Sequence, residues 1–209
     1  MSKTRRKSAD RPNPLFLGNQ LALDFVNTRP LVSGQLTELL PDFAALLSWF
    51  RDAGLLNSRE AAALRQKWCG SVRARRTTEA MRQRRERLRK QILAWERGDS
   101  LRRSTLEELN TLMAVHPMRT RLRAKGKSCS KEFWFNARVP EDLFAPLAQS
   151  AASLFADLDR KRIRKCLTCV LHFFDTSKKG RRRWCSMKLC GNRLKVAAYA
   201  ARRRKFTHR

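Results

Sequence analysis

Four cysteines near the C-terminus constrain this chain more than any other residues. Cys166 and Cys169 form a C-x2-C pair, fifteen residues follow, and Cys185 and Cys190 form a C-x4-C pair. Two close pairs at this separation let four thiolates converge on one zinc ion. Such a set closes the tetrahedral coordination and leaves no position for a substrate water. The expected cofactor is therefore one structural Zn2+, held by Cys166, Cys169, Cys185 and Cys190. C-x-x-C also occurs in dithiol enzymes, but the second pair argues against a redox site. His172 follows Cys169 by three residues inside an expected strand, which favours the four-cysteine set over a histidine ligand. Cys69 and Cys129 stand alone in sequence and read as packing residues.

The segments around the cysteines predict a small fold. Cys166 to Cys169 is short enough for a knuckle turn, and VLHFFD and RRRWC flank the turn-prone TSKKG, predicting a hairpin. Asn192 is placed to cap a helix from about Arg193 to Lys205, whose N-terminus favours nearby thiolates. Knuckle, hairpin and helix together make a treble-clef-like zinc finger. Phe173, Phe174, Trp184 and Leu194 are its candidate core, too small to hold without the metal.

Charge points to the partner. The chain carries 47 basic and 18 acidic residues, a formal net charge of +29, and such an imbalance calls for a polyanion. From Arg160 to Arg209 there are 18 lysines and arginines against one acid, Asp175. Nucleic acid is the expected partner, DNA favoured over RNA. The candidate phosphate contacts are Lys178, Lys179, Arg181, Arg182, Arg183, Lys188, Arg193, Lys195, Arg202, Arg203 and Arg204. In an RNA-binding or ribosome-associated protein, Phe173, Phe174 or Trp184 would stack on bases if exposed. A second basic stretch, residues 73–103, has 12 cations against 4 acids and reads as a solvated face or a second phosphate surface. No amphipathic anchor, signal peptide or long apolar run is visible. A membrane partner is not expected, and the chain reads as soluble and cytoplasmic, or nucleoid-associated if it binds DNA.

The rest of the chain predicts an α+β architecture, a helix-rich N-terminal domain with a small β-hairpin or sheet. Residues 1–14 read as a disordered basic tail, 15–160 as the helix-rich domain and 161–209 as the finger. Apolar spacing predicts a helix after Pro41, a second from Ser58 burying Ala62, Leu64, Trp68 and Val72, and a long one over 78–97. In the long helix Met81, Leu88, Ile92 and Trp95 make the apolar stripe. Ser104 and Glu107 have capping-box spacing, TRLRA and KEFWF predict a hairpin across KGKSCS, and Pro140 opens a last helix over residues 140–160 that delivers the chain to the cysteine module. Asp24 and Asn27 lie in a polar-in-apolar segment and are candidate ligand-pocket residues, against the commoner roles of turn or helix capping. There is no nucleophile-base pair, glycine-rich phosphate loop or open metal site, so an enzyme is not expected.

The residues also resemble a family. Residues 166–205, with C-x2-C, FFD, RRRWCS and Cys190-Gly191-Asn192-Arg193, resemble the CGNR zinc finger. GNQLALDFVNT followed by LLSWFRDAGLL resembles the ABATE domain, which precedes this finger in bacterial proteins regarded as stress-induced transcriptional regulators. The resemblance implies zinc on the four cysteines and DNA binding by the basic residues around them. In such a regulator the N-terminal domain is expected to sense a signal or to form a homodimer.

Overall fold

Polar side chains at the chain's turns set most of the helix starts. In the computed structural model, residues 16–32 and 34–192 are described; the expected tail over residues 1–14 and the helix from Arg193 to Lys205 lie outside them. Gln20 accepts from the Ala22 and Leu23 N–H groups at the head of α1 (Leu21–Val26). Two short strands follow, β1 (Leu31–Val32) and β2 (Gln35–Leu36). Asp42 caps α2 (Phe43–Asp52), and Asn57 with Glu60 forms a reciprocal capping box on α3 (Ser58–Trp68). Ser71 caps the long α4 (Val72–Glu96). The chain continues through α5 (Arg103–Val115), β3 (Arg119–Lys125), β4 (Ser128–Trp134), a 3-10 turn and α6 (Phe144–Ala156). It then enters β5 (Ile163–Lys165) and β6 (His172–Phe174). Among the described residues the strands form three separate two-stranded antiparallel sheets, so the class is α+β. No described helix is long and apolar enough to cross a membrane.

Several expectations are corrected. The long helix begins at Val72, six residues ahead of the expected start at 78, because Ser71 offers a cap and the chain breaks at Cys69-Gly70. That cap leaves Val72 exposed on the first turn; of the four residues expected to be buried around α3, only Leu64 is fully so. The Ser104–Glu107 capping box does not form, since α5 already starts at Arg103 and Glu107 pairs with Arg103 at 2.8 Å. In the finger, β6 pairs with β5 and not with the RRRWC segment. The knuckle therefore sits at the tip of the hairpin, and TSKKG is a loop beyond it.

Among the described residues, three apolar clusters run through the molecule. The largest gathers Trp49, Phe50, Leu46, Met81 and Leu143 from α2, α4 and the turn before α6. A second joins Leu23 and Val26 of α1, Ile92 of α4 and Leu154 of α6 to Ile163 of β5. The third is the finger's own, Leu171 and Phe173 with Cys166, Cys185 and Cys190. Ile163 shows that the finger shares core with the helices, and burying one such side chain is worth about 1.5–3 kcal/mol. Phe174, expected in the finger's core, packs instead against this shared cluster.

One arginine lies on the apolar stripe of α4. Arg85 is 1% exposed, between Met81 and Leu88 in the helical series, and its guanidinium is bonded to both carboxylate oxygens of Glu38, to Thr28 Oγ1 at 2.9 Å and to Glu86. The basic stretch 73–103 is thus not uniformly a surface.

Candidate metal centre and basic cleft

The β5–β6 hairpin delivers the first cysteine pair. Cys166 follows β5 directly, and its N–H donates to Leu171 O at 2.9 Å, closing the knuckle. Leu167 N–H donates to Arg183 O at 3.1 Å, which ties the knuckle to the segment before Cys185. The second pair is held by a π-helical turn, Met187–Gly191, in which Cys190 and Gly191 N–H both donate to Ser186 O. A Cβ at Gly191 would meet only the Met187 side chain, which is exposed and flexible and would have to move aside. This turn already contains Cys190, so Asn192 lies within helix and does not start it.

The sulfur positions suit zinc. All four Sγ atoms lie within 4.8 Å of one another, and Cys169, Cys185 and Cys190 are mutually 3.7 Å apart. A tetrahedral centre with Zn–S bonds of about 2.3 Å has edges of about 3.8 Å. Three of the four thiols are buried, and His172 is not among the cluster. Electrostatics point the same way. Hydrogen bonding from Cys185 holds the Cys169 thiol down to about 5. Contact with Cys169, with burial added, drives Cys185 far above the usual thiol range, and burial followed by Cys169 pushes Cys190 up to about 12. A divalent cation held by the four sulfurs would supply the positive charge that stabilises them as thiolates.

Around the centre, Asp175 orders the basic loop. Fully buried, its carboxylate accepts from Ser177 N at 2.9 Å and Arg182 N at 2.7 Å. Burial alone would raise its pKa, but these hydrogen bonds hold it below the usual range. Arg162 donates to Asp175 O and Ser177 O, and Arg164 to Gly180 O, so these arginines serve as structural donors to the main chain.

Of the candidate phosphate contacts, Lys178, Lys179, Arg181 and Arg183 are exposed. Arg182 turns inward, donating to Cys185 O at 2.6 Å with its guanidinium 5.1 Å above Phe173. The Lys188 side chain and Arg193, Lys195, Arg202, Arg203 and Arg204 lie outside the described residues. Phe173 is fully buried and unable to stack on a base, while Phe174 and Trp184 are half-buried.

Sequence reasoning passed over the cations that enter the finger. A cleft of about 400 Å³ is lined by Arg160, Lys161, Arg164, Lys165, Arg182 and Arg183, with Glu96 as its acid. The charge count from Arg160 onward already included them, but local pattern does not show that Arg160, Lys161, Arg164 and Lys165 face Arg182 and Arg183, about 20 positions on.

Asp24 and Asn27 are engaged by the chain itself. Asp24 Oδ1 accepts from Gly18 N at 2.7 Å; burial pushes its carboxyl up to about 6, with the Gly18 and Leu17 amides pulling the other way. A Cβ on Gly18 would lie 2.9 Å from that oxygen, so only glycine fits. Asn27 binds the main chain of His172, and Asn19 donates to Phe174 O at 2.9 Å. Asn19 and Asn27 thus dock the finger on the helices.

The model of the family described as "Putative stress-induced transcription regulator", ABATE, matches residues 19–158, well over half of the chain. The chain belongs to the ABATE family. The CGNR zinc finger matches residues 162–203 and brings the four-cysteine cluster within one known motif, able to hold one zinc ion. In this ABATE protein the family boundary falls beside Ile163, the residue through which finger and helices share a core. Among curated proteins, none matches the chain.

Proposed function

We propose that this chain is a zinc-dependent, DNA-binding transcriptional regulator whose C-terminal finger grips phosphates. The observation that carries the reading is the cleft beside the cysteine cluster, six cations with one carboxylate. Zinc, when bound, fixes the knuckle and the turn at Cys190; the chain's own residues then present Arg160, Lys161, Lys165 and Arg183 together, where alone they would repel one another. Phosphate contacts position a protein on a duplex without reading bases, so the cleft supplies affinity and orientation. In this reading the chain is a binding protein and not an enzyme, because four thiolates saturate the metal. It acts in the cytoplasm, at the nucleoid.

The test is duplex binding followed across salt concentration. Wild type is expected to lose affinity steeply, and Arg160→Gln with Lys161→Gln and Lys165→Gln to reduce the slope by roughly 1 for each phosphate no longer neutralised. An affinity that ignores salt defeats the reading. Competition between duplex DNA and structured RNA identifies the preferred polyanion.

A further inference from the structure

The β3–β4 ribbon stands apart from the rest of the molecule. Its strands pack chiefly on each other, every residue of β3 is exposed, and in β4 only Ser130, Glu132 and Trp134 are half-buried. A two-stranded ribbon with water on both faces is marginal by itself. Its base, in contrast, is fixed. Trp68 Nε1 donates to Arg138 O at 3.0 Å, Asp142 Oδ2 accepts from the Arg138 and Val139 amides, and Phe135 and Ala137 pack on the main core.

Register sorts the ribbon's residues by face. Arg119, Arg121, Arg123 and Lys125 pair with Trp134, Glu132, Ser130 and Ser128, so all eight share one face. The four cations run at steps of about 6.8 Å, over about 20 Å. Trp134 lies beneath two of them, with the Arg119 and Arg121 guanidinium carbons 5.4 and 5.7 Å from its ring. Glu132 pairs with Arg121 at 2.7 Å and Arg123 at 3.3 Å, and Arg119 and Lys125 have no carboxylate partner among the described residues. Adding Lys127 and Lys131, the sixteen residues from Arg119 to Trp134 carry six cations against one acid. Leu122 and Phe133 lie on the opposite face.

Dimension and charge select the occupant. The major groove, about 12 Å wide and 8.5 Å deep, admits a two-stranded ribbon, and arginine is the side chain that pairs bidentately with guanine and phosphate. We propose that the β3–β4 ribbon is a second DNA-contacting element, separate from the zinc finger, which enters the major groove of a duplex with the Arg119–Lys125 row facing it. This rests on the reading of the chain as a DNA-binding protein. Glu132 restrains the row by pairing with its two central arginines.

The experiment uses the whole, zinc-loaded chain on duplex DNA across salt, with guanine N7 methylation protection as a second readout. In Arg119→Gln/Arg123→Gln/Lys125→Gln, far-UV dichroism and zinc content are expected to match wild type. Affinity is expected to fall about tenfold or more, with the salt slope smaller by about 0.9 for each phosphate released. N7 protection should disappear as well. Glu132→Gln, which frees Arg121 and Arg123, is expected to tighten binding severalfold. A wild type that binds duplex while the triple variant binds equally, with the same slope and footprint, overturns the ribbon proposal and leaves the finger reading standing. Absence of salt-dependent duplex binding by wild type overturns both. Weakened binding to structured RNA or to anionic phospholipid vesicles, without a change on duplex DNA, also overturns the assignment.

Discussion

Asn27 pairs with the main chain of His172 in both directions: its Nδ2 donates to His172 O at 2.8 Å, and its Oδ1 accepts from His172 N at 2.8 Å. Phe174 N–H donates to Gly18 O at 2.8 Å further along the same strand. With β5 on its other side, β6 is hydrogen-bonded along both edges, and neither is left to pair with another chain.

Asn27→Ala removes both bonds and leaves a buried N–H and C=O unpaired. The expected loss is about 2–6 kcal/mol, since each of the two orphaned groups costs roughly 1–3. Urea denaturation reads the loss, and amide exchange at His172 and Phe174 locates it. Unchanged exchange there would show that the asparagine is not what docks the finger.

Purified protein should contain one zinc per chain, and Cys185→Ser should contain none. Because thiolates, not thiols, bind the metal, binding releases protons and zinc is held less tightly as pH falls. Metal analysis after dialysis at a series of pH values checks the direction. Helical dichroism is expected to survive the Cys185→Ser change, as the cluster around Trp49 and Phe50 includes no cysteine.

The pairing of Arg85 with Glu38 holds the middle of α4 against the loop before α2. Burial alone would raise Glu38, but the hydrogen bond from Arg85 holds it below the usual glutamate range, so its contribution is present near neutrality and lost as pH falls through that lowered value. Arg85→Met is expected to cost about 3–5 kcal/mol by stranding the carboxylate. The double variant Arg85→Met/Glu38→Leu should recover most of it. Denaturant midpoints of the two variants decide whether the partners act as a pair.

Asp24 works in the opposite sense. Its folded pKa, raised to about 6, lies above the unfolded value, so the native state holds its proton more tightly and stability falls as pH rises through about 6. Asp24→Asn keeps an oxygen for the Gly18 amide without a charge to bury. The variant is expected to equal or exceed wild type at pH 7–8, by on the order of 1–3 kcal/mol, and to lose the pH slope between about 4 and 6. A slope that persists assigns the effect to another group.

Short-range features are legible in the amino-acid order. The cysteine spacing defines a four-thiol set because each pair is only a few residues apart, and the sulfurs indeed converge. Periodicity locates α2, α4 and α6, and TRLRA with KEFWF marks β3 and β4. Boundaries fail where a cap competes: Ser71 starts α4 before the apolar stripe does, and α5 begins without the Ser104 cap.

Long-range partners are another matter. Nothing near Asn27 announces His172, 145 residues away, and nothing near Arg85 announces Glu38, 47 residues away. An arginine on an apolar stripe reads as a surface residue until its partner is known, and a strand such as β6 has two edges that local pattern cannot assign. The zinc ligands, the helices and the excess of cations follow from spacing and composition, and the chain specifies them without reference to its fold. Packing alone settles which cations are committed to Asp175, Glu38 and main-chain carbonyls, and which face solvent on the cleft and the ribbon, because burial and charge pairing depend on neighbours the chain reaches only by folding.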